Sequence, residues 1–204
     1  NHIVSVRTAI DQLGLDSVAL VGQDSGGLIA RHAMAGDARL RSMGLLDTEP
    51  SGRTGWRFRS FVATRKIPGI GAGLGWIFGQ PRLRRNKFVL GDVFADSSHL
   101  DGEFDEFFLQ PFHSDARLRS ASIRIFRSFD MDDVAQLATI QRRIDVPVRL
   151  VWGDQDAFFP VAQARRMVAD FPNADLVEIE GAGLFSHEEA AAEVAAALLP
   201  ILSG

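Results

Sequence analysis

The segment Val18-Ala19-Leu20-Val21-Gly22-Gln23-Asp24-Ser25-Gly26-Gly27-Leu28-Ile29-Ala30-Arg31 runs an apolar strand pattern into a glycine-rich turn and straight out into a helical pattern. Ser17 to Val21 reads as a buried strand and Gly26 to Ala35 as the helix after it. The turn has the spacing small–x–nucleophile–x–small. Such a turn strains the backbone at its apex, and its small flanks let strand and helix approach. The apex side chain then projects above the sheet at a helix N-terminus, where the dipole favours negative charge. Asp24 and Ser25 compete for that apex. With Asp24 there, the flanks are Gly22 and Gly26. With Ser25 there, they are Gln23 and Gly27, and Gln23 is too large. Asp24 is the expected nucleophile, against the plainer alternative that it caps the following helix.

Working outward, three more short apolar runs read as buried strands: Met43 to Leu46, Val148 to Trp152, and Asp175 to Ile179. Turn signals follow them at Asp47-Thr48-Glu49-Pro50, Gly153-Asp154 and Gly181-Ala182-Gly183. Helical patterns alternate with the strands: His2 to Leu13, Val161 to Phe171 with Pro160 at N1, and Glu188 to Leu199 behind a capping box of Ser186 and Glu189. Continuous apolar strands alternating with helices predict an α/β fold, a parallel sheet covered by helices on both faces.

The stretch from about Pro50 to Ile144 breaks this rhythm. Nine Lys or Arg and no acid fall between Ser51 and Leu90, whereas seven Asp or Glu and no Lys or Arg fall between Gly91 and Ala116. Eleven of the fifteen Phe lie between Phe58 and Phe129. This reads as a mostly helical insertion whose basic and acidic halves pack on each other, with Phe serving its own core and, in part, an apolar cavity. Gly69 to Gly75 looks like a glycine loop but follows no strand and has no acid at the dinucleotide spacing, so a flexible hinge or lid is expected there. The basic run Arg82, Arg84, Arg85 and Lys87 reads as a solvated face.

Composition narrows the function. The chain has 204 residues, 46% apolar and 24% charged, with a formal net charge of −4. That is ample for one core domain carrying an insertion. The small negative charge argues against nucleic acid as the main partner. No apolar run approaches a membrane-spanning length. There is no Cys and hence no thiolate nucleophile or Cys-ligated metal. The five His are scattered, with no ligand-spaced acid beside another, so no metal and no cofactor are expected.

The elbow, the insertion, the strand ending in Trp152-Gly153-Asp154-Gln155-Asp156 and the strand leading to Gly181-Ala182-Gly183-Leu184-Phe185-Ser186-His187 follow one another in a specific order. In that order the chain resembles the α/β-hydrolase superfamily, and within it the haloalkane dehalogenases and epoxide hydrolases, whose nucleophile is an Asp. The similarity runs from the helix before the elbow to the C-terminus. It implies a first core part at 1–49, a helical cap at 50–144 and a second core part at 145–204. It also implies that Asp24 forms an alkyl ester by displacement at carbon, that Asp156 is the acid orienting a His, and that this His activates water. The Ser25 amide would supply half of an oxyanion hole, and the ligand would be a small apolar molecule.

Four departures qualify the transfer. The position of the family's His is Leu184, which can neither accept nor donate a proton; His187 is a candidate substitute, with Trp152 as a second auxiliary residue. The family's first four or so strands are not in this sequence, which suggests a fragment of a longer polypeptide, a companion chain completing the sheet, or a homodimer pairing edge to edge. Ser25 stands where many dehalogenases hold halide with Trp. No Tyr is present to protonate an epoxide, leaving His99 or His113 as candidate acids. The expected function is a cytoplasmic hydrolase using Asp24 on a halide- or epoxide-like electrophile, impaired in ester hydrolysis. The alternatives are a non-catalytic binding relative of the same fold and a serine esterase acting through Ser25.

Overall fold

The computed structural model describes residues 2–203. Four parallel strands, β1 (Val18–Gln23), β2 (Leu40–Leu46), β3 (Val148–Gly153) and β4 (Ala174–Ile179), pair in chain order, leaving β1 and β4 at the edges. All four expected strands are present, each slightly longer than its apolar run.

Helices α1 (His2–Gln12) and α2 (Ser25–Met34) flank β1. Between β2 and β3 come α3 (Trp56–Thr64), α4 (Ile70–Phe78), α5 (Pro81–Arg84), a 3-10 turn at Ser97–Leu100, a π-helical turn at Asp105–Leu109, and α6 (Gln110–Ser114), α7 (Ala116–Arg127) and α8 (Met131–Gln141). After β3 come α9 (Val161–Met167) and a 3-10 turn at Val168–Asp170; after β4 come α10 (Ser186–Glu189) and α11 (Ala191–Leu202).

Alternation along the strands divides the core. On one face Met43, Leu45, Leu150 and Trp152 pack with Ala33 and Met34 of α2 and Ala164 and Met167 of α9. On the other, Leu46, Val151 and Ile179 pack with Val194, Ala197 and Leu198 of α11. Period-two side chains buried on both faces are what a helix-covered parallel sheet requires.

The basic and acidic halves of the inserted segment do meet. Arg57 pairs with Asp92 at 2.7 Å, Arg84 with Asp101 at 2.9 Å and also with Asp105, and Arg85 with Asp101. Arg84 is therefore buried rather than part of a solvated face; only pairing with two carboxylates makes that burial tolerable.

Three local expectations need correction. Gly69 to Gly75 is no hinge: only Gly69 turns left-handed (φ 74°), and α4 runs on from Ile70, where a Cβ at Gly71 would meet Ile123 and one at Gly75 would meet Arg119. The glycines thin the helix for packing. Pro160 precedes α9 instead of opening it. The capping box does not form: Ser186 Oγ donates to Asp47 Oδ2, while Glu189 accepts from the amides of Gly183 (2.6 Å) and Asp96 (3.0 Å). Long-range partners outcompete the local box.

Candidate active site

Parallel register brings the polar residues to one edge. The amides of Asp24, Asp47 and Asp154 each continue the ladder, donating to Leu46 O, Val151 O and Ile179 O. Asp24, Asp47 to Glu49, and Asp154 to Asp156 thus emerge together at the carboxyl ends of β1, β2 and β3, the edge where open α/β sheets bind ligands.

Asp24 occupies the apex of the turn, with φ 48° and ψ −132°, and its side chain makes no cap hydrogen bond to α2. The capping alternative is excluded by that geometry, and Ser25 is already helical. A Cβ at Gly22 would come within 2.7 Å of Gly26 O and Gly27 N, and one at Gly27 within 2.6 Å of Thr48 Oγ1. Gly26, by contrast, faces open space. The steric demand therefore falls on Gly22 and Gly27 rather than on the symmetric pair Gly22 and Gly26.

Beside the elbow stands a group that the sequence presented only as a turn. Asp47, Thr48 and Glu49 are fully buried. Thr48 Oγ1 donates to Asp24 O at 2.6 Å and lies 2.9 Å from Glu49 Oε2; Arg31 Nη2 donates to both Thr48 Oγ1 and Glu49 O at 2.9 Å. Ser25 Oγ lies 3.3 Å from Asp24 Oδ1 and 3.1 Å from Glu49 Oε1. Burial, and then the neighbouring Glu49, push the Asp24 carboxyl up to about 8. Burial also raises Glu49, with Arg31 opposing, while it draws Arg31 down to about 10. Asp47 has φ 38° and accepts from Gly153 N at 2.8 Å as well as from Ser186; burial raises it well above the usual carboxylate range. A signal was available: three consecutive polar residues directly behind a buried strand are costly unless they have partners.

Asp156 is buried, and its Oδ1 accepts from the amides of Phe158 (2.7 Å) and Phe159 (2.9 Å). Its Oδ2 is buried without a partner. Burial raises this carboxyl to about 6 against the two amides, with Asp92 contributing repulsion.

Asp24, Ser25, Leu184 and Phe185 line a cavity of about 510 Å³ whose walls include twelve phenylalanines, among them Phe58, Phe104, Phe129 and Phe158. Leu184 is buried, with its carbonyl accepting from Gln23 Nε2 at 3.2 Å. The auxiliary candidates fall outside this lining. Trp152 is fully buried and donates to Phe159 O at 2.6 Å. His187 lies 3.6 Å from Glu188 and edge-on to Phe185, and burial lowers its pKa. His99 stacks on Phe94, and the His113 ring is 2.7 Å from Gly75 O. Among the described residues no cluster of His, Asp and Glu could hold a metal, and no helix is long and apolar enough to cross a membrane.

Fold and elbow together define a class of protein, and the comparison by family agrees: the family model of the alpha/beta hydrolase fold matches residues 1–191, and the chain belongs to that family. Among solved structures it is similar to an alpha/beta hydrolase fold protein from Burkholderia ambifaria (20% identity, TM-score 0.72, covering 95% of this chain and 70% of that one). It is also similar to the 2-hydroxy-6-oxo-6-phenylhexa-2,4-dienoate hydrolase from Rhodococcus sp. strain RHA1 (15%, 0.70, 96% and 67%) and to an esterase from Exiguobacterium antarcticum (18%, 0.67, 99% and 72%). At such identities the likeness establishes the fold. No curated protein matches the chain.

Proposed function

We propose that this chain is a hydrolase acting through Asp24, which displaces a leaving group at carbon and forms an alkyl ester with a small apolar electrophile, halide- or epoxide-like. The observation that carries this reading is a carboxyl at a strained strand–helix apex facing a phenylalanine-lined cavity. Strain at such a turn persists only where the surrounding structure enforces it, and here Thr48 and the bare Gly22 do so. The inserted helices 50–144 serve as the cap over 1–49 and 145–204. Asp156 is the acid of the site. Its Oδ2 is buried without a partner, as expected of an acid left without the imidazole that the family resemblance implies, and with Leu184 at the position of that imidazole hydrolysis of the ester is slow.

Intact-mass spectrometry after incubation with 1-bromobutane or styrene oxide tests this. The expected result is one stoichiometric adduct that accumulates because it forms faster than it is hydrolysed, with no labelling by a fluorophosphonate, which reacts with activated serine. An unmodified protein, or fluorophosphonate capture at Ser25, contradicts it.

A second reading, a non-catalytic binding relative, is favoured by one observation: Leu184 completes an apolar wall without a base. Calorimetry showing an apolar ligand held without any adduct would favour it.

A further inference from the structure

The proposed site lacks an imidazole, so any proton taken from an attacking water must go elsewhere. The groups that face Asp24 are Glu49, Asp156 and the Ser25 hydroxyl; those that face Glu49 are Arg31 from α2, Thr48 and Ser25. Of the two carboxyls other than Asp24, Asp156 has one oxygen committed to two amides and the other without a partner, and no hydroxyl links it to the elbow. Glu49 is fully buried and absent from the cavity wall, whereas Ser25 is part of that wall. Among the described residues, Ser25 is thus the one that lines the cavity and also bonds the carboxyl of the buried glutamate.

Hydrogen counting gives this contact a direction. Ser25 Oγ is within hydrogen-bonding distance of a carboxyl oxygen on each side, 3.3 Å to Asp24 and 3.1 Å to Glu49. A hydroxyl has one hydrogen to donate. Both contacts are hydrogen bonds only when one carboxyl brings a proton of its own. Burial raises Glu49 and Arg31 opposes it, so the arrangement that leaves Glu49 able to accept is Asp24 O–H donating to Ser25, Ser25 O–H donating to Glu49 Oε1, and the single Thr48 hydrogen shared between Asp24 O and Glu49 Oε2. Asp24 gives up its proton to solvent before it attacks, and the ester then carries neither charge nor acidic hydrogen, leaving Glu49 ionised with Ser25 still donating to it.

We infer that Glu49, acting through the Ser25 hydroxyl, is the proton acceptor for hydrolysis of the ester at Asp24, in place of the imidazole that Leu184 cannot supply. This rests on the proposed function. Water adds to Cγ of the Asp24 ester; its proton passes to Ser25 Oγ as the Ser25 proton passes to Glu49 Oε1. The tetrahedral adduct then breaks its bond to the alkyl oxygen, and the departing alkoxide takes the proton back from Glu49 through Ser25. Asp24 ends as the free acid, the alcohol leaves, and Glu49 is ionised again. No other reactant is consumed. Glu49 does not touch the electrophile and is a positioning and proton-holding residue, whereas Ser25 touches the water.

The test uses the intact chain, with Glu49→Gln and Ser25→Ala as separate variants and thermal melts to confirm folding. Each is alkylated with 1-bromobutane, freed of reagent and transferred to H2(18)O, and adduct decay is followed by mass from pH 6 to 9. The wild-type adduct is expected to decay with a rate that no longer rises with pH once Glu49 is ionised, placing 18O in Asp24. In Glu49→Gln and Ser25→Ala the decay is expected to be at least about tenfold slower, and in Glu49→Gln to lose the plateau. Equal decay in all three proteins, or a wild-type adduct no more labile than butyl acetate in the same buffer, overturns this inference and leaves Asp24 as the nucleophile. No adduct on the wild type removes the proposed function and this inference with it.

Discussion

Thr48 Oγ1 donates to the backbone carbonyl of Asp24 at 2.6 Å, so the apex of the turn after β1 is held from the neighbouring strand β2. The same hydroxyl accepts from Arg31 Nη2 and crowds Gly27. Elbow, helix α2 and the Glu49 carboxyl therefore share one buried junction, and disturbing it should be felt at all three.

Thr48→Val keeps the volume and removes the hydroxyl. The Asp24 carbonyl and one Arg31 N–H then lose a buried partner, at a cost of about 1–3 kcal/mol. Urea unfolding should show the midpoint falling with an unchanged slope, and alkylation of Asp24 should slow because its apex geometry loosens.

Gly22→Ala and Gly26→Ala should part company. A methyl at Gly22 meets the backbone of Gly26 and Gly27 at 2.7 Å, where no flexible side chain can yield, and overpacking of this kind costs about 1–3 kcal/mol. At Gly26 nothing lies within 4 Å, and the gain in helix propensity is about 1 kcal/mol. Thermal melts that rank the two variants the other way would show that the close approach of strand and helix is misplaced.

These glycines also show how far the sequence could be read. The apolar runs gave the strands, because a parallel sheet buries both faces, and Gly22 with Asp24 located the elbow. Gly26 looked equally obligatory because spacing alone cannot say which flank faces another backbone. Asp47-Thr48-Glu49-Pro50 read as a turn, since turn residues and a buried polar junction use the same side chains. Gly69 to Gly75 read as a hinge because glycine frees the backbone, yet in α4 it serves close packing against Ile123 and Arg119. Ser186 failed as a cap because Asp47, far away in sequence, binds it instead.

Acidity follows from the raised carboxyls. Asp24 moves from an ordinary 3.8 to about 8 on folding, so the folded chain keeps a proton that the unfolded chain releases. Its contribution to stability is fully present below the unfolded value and is lost as pH rises through about 8. The melting temperature should fall between about pH 4 and pH 8, and Asp24→Asn should flatten that fall. The alkylation rate should climb tenfold per pH unit below about 8 and level off above it, since only the carboxylate attacks. A pH-independent rate would exclude a protonated resting Asp24.

Leu184→His should restore a base beside the cavity. Release of 1-butanol from 1-bromobutane should become catalytic, by on the order of 10²-fold over wild type, the usual contribution of a positioned base. A binding relative would gain no turnover from the same change.

The most direct measurement is the location of the adduct. Tandem mass spectrometry of peptides from the alkylated chain should place one butyl group on Asp24 and none on Ser25, Glu49 or Asp156, and Asp24→Asn should abolish it. A butyl group found on any of those three residues, or one that survives in Asp24→Asn, would contradict the assignment of Asp24 as the nucleophile.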